Sequence, residues 1–93
     1  MQLTYRFDQE CVQIREAADG ADIEFEIKIL QNGILLKGIK EVQKKFEENS
    51  VYTDVLFYAY EDHKYKVIVR KDYYVEFILA LMERQILRSV EWV

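Results

Sequence analysis

Ninety-three residues make one domain, residues 1–93, able to bury roughly 60–65% of its unfolded surface in a single modest core. A 51% hydrophobic, 32% charged and 14% aromatic composition excludes a disordered chain, and a net charge of −4 argues against a basic nucleic-acid-binding face. The single Cys11 excludes an internal disulfide, and no Pro with only three Gly excludes a linker or a Pro-rich ligand segment.

Leu3, Tyr5 and Phe7 alternate with polar residues and predict a first strand with one buried face. The opening residues 1–6 lack the charged and apolar regions of a signal peptide, which with the lone thiol leads us to expect a reducing, cytoplasmic setting. Val12 and Ile14 mark a second strand, and Ala18-Asp19-Gly20 a turn. Ile23, Phe25, Ile27 and Ile29 alternate with Asp22, Glu24, Glu26 and Lys28, the cleanest strand pattern in the chain, with a charged face expected in solvent.

Asn32-Gly33 favours a two-residue hairpin, because both positions tolerate positive φ. The preferred reading therefore places a short strand over 34–37 and a helix over 39–49, braced by a Glu41–Lys45 pair. The rival starts the helix at Ile34, with Leu35, Ile39, Val42 and Phe46 on one stripe, against a cost of about 1 kcal/mol for Gly38 inside it. Residues 53–60 follow as a strand with two apolar faces, expected at the centre of a sheet or with its second face covered. Glu61-Asp62-His63 turns the chain into a strand carrying Tyr65, Val67 and Val69.

Residues 73–88 read as one long helix with Asp72 as N-cap and Arg84 and Arg88 in its last turns. Tyr74, Val75, Phe77, Ile78, Leu79, Leu81, Met82 and Ile86 cover an arc of roughly 200°, about twice what a surface helix needs. The surplus calls for cover by a second element or a second chain. Ser89–Val93 closes the chain as a short strand.

These elements predict an α+β fold, a two-layer antiparallel sheet with two helices. The alternative is a ferredoxin-like βαββαβ core over residues 22–93 with an N-terminal β-hairpin, a pattern that by itself implies no function.

No chemistry-bearing motif emerges. Cys11 and His63 lack a supporting third group, and Glu10 beside the thiol would raise its pKa. Glu61, Asp62 and His63 are consecutive and lack any metal-ligand spacing. Gly33 and Gly38 form no phosphate cradle, and Ser50 and Ser89 sit in no nucleophile elbow. We therefore expect no enzyme, cofactor or metal.

The expected function is a small non-enzymatic protein-interaction or regulatory module, homodimeric, with Tyr58, Tyr60, Tyr73, Phe77 and Trp92 at its interface. Seven tyrosines support that reading, since Tyr is enriched at protein interfaces. The alternative is nucleic-acid binding through the basic strand edge 64–71, using Lys64, Lys66, Arg70 and Lys71 beside Tyr58 and Tyr60. The longest apolar run, 77–82, is far short of the ~20 residues that span a bilayer. Abundant Lys, Glu, Ile and Tyr without Pro suit a small bacterial or phage protein.

Overall fold

The computed structural model describes residues 2–31, 33–48 and 54–93. Nine elements follow in chain order: β1 (Leu3–Arg6), β2 (Val12–Asp19), β3 (Asp22–Ile29), α1 (Ile34–Glu48), β4 (Val55–Tyr60), β5 (Lys64–Arg70), a 3-10 turn (Lys71–Tyr73), α2 (Tyr74–Glu83) and β6 (Ser89–Trp92). Four strands form an antiparallel sheet in the order β2-β3-β5-β4, and β1 pairs with β6 in a separate antiparallel ribbon. The α+β class with two helices is as the pattern predicts.

Strand alternation sorts the four-stranded sheet into two faces. Ile14, Ile27 and Tyr65 share one cross-strand row, and Phe25, Val67 and Phe57 another. These residues face the helices and make the core with Ile39, Val42, Phe77, Ile78 and Leu81. The opposite face carries Arg15, Glu26, Lys66 and Tyr58 in one row and Lys28, Lys64 and Tyr60 in the next.

Because β3 and β4 both run antiparallel to β5, they are parallel to each other, and α1 crosses between them. The βαβ half of the ferredoxin-like pattern is therefore present. The N-terminal hairpin is not: β2 occupies the edge beside β3, and β1 reaches across the chain to β6, with Leu3 opposite Trp92 and Tyr5 opposite Val90. Arg88, donating its N–H to the Arg6 carbonyl at 2.7 Å, extends that ribbon by one residue.

The helix starts at Ile34, so the strand over 34–37 is overturned. Asn32, the Asn49-Ser50 helix end and Thr53 lie outside the described residues. The stripe of Ile39 and Val42 is fully buried, and that burial outweighs the propensity cost of Gly38. Gly38 also has a packing role: a Cβ there would stand 3.0 Å from the Arg84 carbonyl oxygen and 3.2 Å from the Arg84 Cβ, where α1 meets the end of α2. Glu41 turns to the same junction, forming an ion pair with Arg84 at 2.7 Å in place of the expected bond to Lys45.

The predicted 16-residue helix is shorter, because the chain reverses just after Glu83. Gln85 sits at φ 65°, and its N–H reaches the Met82 carbonyl at 3.0 Å while the Ile86 N–H reaches the Leu81 carbonyl at 3.0 Å. That is a Schellman termination, with buried Leu81 and Ile86 supplying its apolar contact. At the other end Asp72 lies in the 3-10 turn and makes no capping bond, and Tyr73 holds the N-cap position. Arg88, outside the helix, pairs with Asp8 at 3.2 Å. A side chain in the left-handed region is strained where glycine is not, so Gln85→Gly should raise stability by about 0.5–1 kcal/mol. A thermal melt checks this through a gain of a few degrees in Tm.

Candidate functional site

The residues expected at one interface lie on different parts of the molecule. Phe77 is a correction: it is 0% exposed, packed between Phe25 (ring centroids 4.8 Å), Phe46 (6.0 Å) and Phe57 (6.1 Å). Residues 77, 78, 80 and 81 form the helix face that enters the core, so Phe77 contributes to folding and cannot touch a partner. Tyr73 is half-buried against that core. Tyr58 and Tyr60 stand exposed on the helix-free face of the sheet, and Trp92 is exposed on the ribbon.

The surplus on α2 is real but narrower than expected. Val75, Leu79 and Met82, spaced i, i+4 and i+7, are 37%, 50% and 37% exposed. Met82 also lines a groove of about 690 Å³ together with Ile34, Leu35, Ile86 and Cys11. Ile34, the first residue of α1, is 69% exposed. The stripe was legible as part of the over-wide arc; Ile34 was not, because the preferred reading had placed it in a strand.

The strand over 53–60 also takes a different place. β4 is an edge strand, and the sheet centre belongs to β3 and β5. Its outer-face residues Tyr58 and Tyr60 remain uncovered within the chain, which is why both faces could read as apolar.

The basic strand is correspondingly an interior strand, not an edge, and its lysines do not guard a free edge. Lys66 forms an ion pair with Glu24 of neighbouring β3 at 2.8 Å, and the hydrogen bond and charge of Glu24 raise its pKa. Arg70 pairs with Asp54 at 3.5 Å. Five cations (Arg15, Lys28, Lys64, Lys66, Arg70) share the outer face with Asp19, Asp22, Glu24 and Glu26, leaving it nearly neutral.

Cys11 lines the groove beside Asp8. Partial burial first, then the hydrogen bond and negative charge of Asp8, raise its pKa, so the thiol is held away from its nucleophilic form. Asp8 itself is shifted down, chiefly by the Glu10 N–H, which donates to its carboxylate at 2.9 Å. His63, at φ 58°, sits in the exposed turn between β4 and β5. Among the described residues no three His, Cys, Asp or Glu side chains are grouped to hold a metal ion.

One polar cluster escaped the sequence reading. Glu16 of β2 faces the helices and accepts hydrogen bonds from the Tyr5 hydroxyl at 2.5 Å and the Tyr74 hydroxyl at 3.1 Å. The three residues tie β1, β2 and α2 together, and Tyr74 also stacks on Phe25 at 5.9 Å. Desolvation by partial burial, followed by the hydrogen bond and charge of Glu16, raises the pKa of both phenols. Nothing matches the chain in comparisons with protein-family models, curated proteins or solved structures.

Proposed function

We propose that this protein is a non-enzymatic protein-interaction module that works as a homodimer. The observation that carries the reading is the amount of large apolar surface the chain leaves uncovered, on two opposite sides of its sheet. One side presents Tyr58 and Tyr60, the other Ile34, Val75, Leu79 and Met82. A small domain gains little from exposing groups that cost solvation free energy, and grouped exposure of this kind marks contact surfaces. Two surfaces accommodate two contacts, a second copy beside Tyr58 and Tyr60 of β4 and a protein partner on the helix side.

The helix-side stripe suits an apolar partner segment. Its residues project from α2 away from the core, beside a groove that Met82 and Ile34 share. Nucleic-acid binding ranks second. Tyr58 and Tyr60 offer stacking planes next to Lys64 and Lys66, but Glu24 and Glu26 on the adjoining strand set negative charge where phosphates would lie.

Sedimentation velocity at micromolar concentration tests the homodimer. The expected mass is twice the 11.2 kDa of the chain. A single species of 11.2 kDa up to about 100 μM, which corresponds to a binding free energy weaker than about −5.5 kcal/mol, overturns it.

A further inference from the structure

Among the described residues the outer edge of β4 is unpaired, and its register is self-complementary. The Arg70 N–H donates to the Asp54 carbonyl at 2.9 Å, which makes Asp54–Arg70 a hydrogen-bonded pair of the β4–β5 ladder. In an antiparallel ladder such pairs alternate, so Leu56, Tyr58 and Tyr60 also bond toward β5. Val55, Phe57 and Ala59 then turn their N–H and C=O groups outward, away from β5. Among the described residues no strand pairs with that side.

We infer that β4 pairs antiparallel with β4 of a second copy about a twofold axis through Phe57, joining two four-stranded sheets into one of eight strands. The inference rests on the homodimer reading above and assigns the surface it uses. The register follows from counting. A twofold at Phe57 sets Phe57 against its symmetry mate and Val55 against Ala59 of the second copy, so all three outward N–H groups and all three outward C=O groups on each chain are bonded. Shifting the centre to Tyr58 sets Val55 against Glu61 of the second copy, which lies in the turn beyond the end of β4 and leaves Val55 unpaired.

The side chains agree with that register. β4 contains no charged residue and no Pro, the usual protections of an edge strand, so the twofold brings no like charges together. On the helix-free face Tyr58 meets Leu56 of the second copy. Tyr60 meets Asp54 of the second copy, a phenol donor against a carboxylate that Arg70 already orients. The opposite edge does not offer this. β2 carries Arg15, Glu16 and Asp19, the charge pattern that discourages edge pairing. Because the twofold stands normal to the sheet, both helix layers fall on one side of the joined sheet, and the α2 stripes stay free for a partner.

Proline at an outward N–H tests this without removing a ladder bond inside the chain. Ala59→Pro deletes one outward donor from each copy and adds a ring at the seam; Ala18→Pro does the same at the β2 edge. Sedimentation velocity with a thermal melt of each variant should show wild type and Ala18→Pro as dimers. Ala59→Pro should be a folded monomer, its dissociation constant raised roughly tenfold or more. A folded Ala59→Pro dimer overturns the β4 seam and leaves the homodimer standing, whereas monomeric wild type overturns both. Should Ala59→Pro not fold, the pair Leu56→Cys and Tyr58→Cys in a Cys11→Ser background decides. Those positions face each other across the proposed seam at about 4.5 Å between Cα atoms, within disulfide range. Mild oxidation should give a covalent dimer on a non-reducing gel, and persistence of the monomer band overturns the inference.

Discussion

Phe77→Ala should destabilise the protein by about 3–5 kcal/mol, the range for removing a buried phenylalanine from a close-packed site. A domain of this length holds roughly 5–14 kcal/mol in all, so the variant stands near the edge of folding. The geometry explains the size of the effect. Phe77 is the only ring that touches all three of Phe25, Phe46 and Phe57 among the aromatic contacts of the described residues, and these belong to β3, α1 and β4. Its removal opens a cavity where helix, helix and sheet converge, and no neighbour can collapse into it without giving up its own contacts. Urea denaturation should show the midpoint falling by about 2–5 M, given a slope near 1–1.5 kcal/mol/M. Leu79→Ala, two positions along the same helix but 50% exposed, should stay within about 0.5 kcal/mol of wild type. If the two variants melt together, Phe77 is not the keystone of this core.

That contrast also shows how far the sequence could be read. Period-two alternation located β1, β2, β3 and β5, because each has one buried face and a solvated one. It misled at β4, where apolar residues on both faces suggested a central strand; a helix-free face left open on an edge produces the same pattern. The Gly38 penalty was real, but propensity acts over about 1 kcal/mol, while Ile39 and Val42 bury whole side chains. The close approach of Arg84 that suits glycine at that position is a tertiary contact, with no local trace.

The end of α2 was hidden for a similar reason. Nothing in Glu83-Arg84-Gln85-Ile86 announces a stop, since the usual C-terminal glycine is absent. The reversal is imposed by Ile86 and Leu87, both 2% exposed, which return to the core. The pairing of β1 with β6 joins the two ends of the chain, and single-strand patterns carry no information on partners that distant. The surplus of apolar surface, by contrast, was legible from the arc of α2 alone. The structure moves its buried half, including Phe77, into the core and leaves Val75, Leu79 and Met82 outside.

Alkali should unfold the protein well before its backbone chemistry demands it, through the tyrosines that close on Glu16. In the folded chain the Tyr5 and Tyr74 hydroxyls donate to one carboxylate from opposite elements. Partial burial and that negative charge raise both phenols above their ordinary value of 10.0. Below pH 10 both are protonated whether the chain is folded or not, and their contribution to stability is fully present. Above pH 10 the unfolded chain releases the two protons while the folded chain retains them, so stability falls as pH rises. The limiting slope is about 1.4 kcal/mol per pH unit for each group, and solvent screening at these partly exposed sites reduces the pair to about 1–1.5 kcal/mol per unit. Urea unfolding at pH 9, 10 and 11 checks it, with the double variant Tyr5→Phe/Tyr74→Phe as reference, because Tyr65 and Lys66 also have raised pKa values and add their own pH dependence. The wild type should lose stability more steeply than the reference between pH 10 and 11, and Glu16→Gln, which removes the charge but keeps an acceptor, should fall between them. Parallel pH profiles for wild type and the double variant would mean that Glu16 does not hold these phenols in solution.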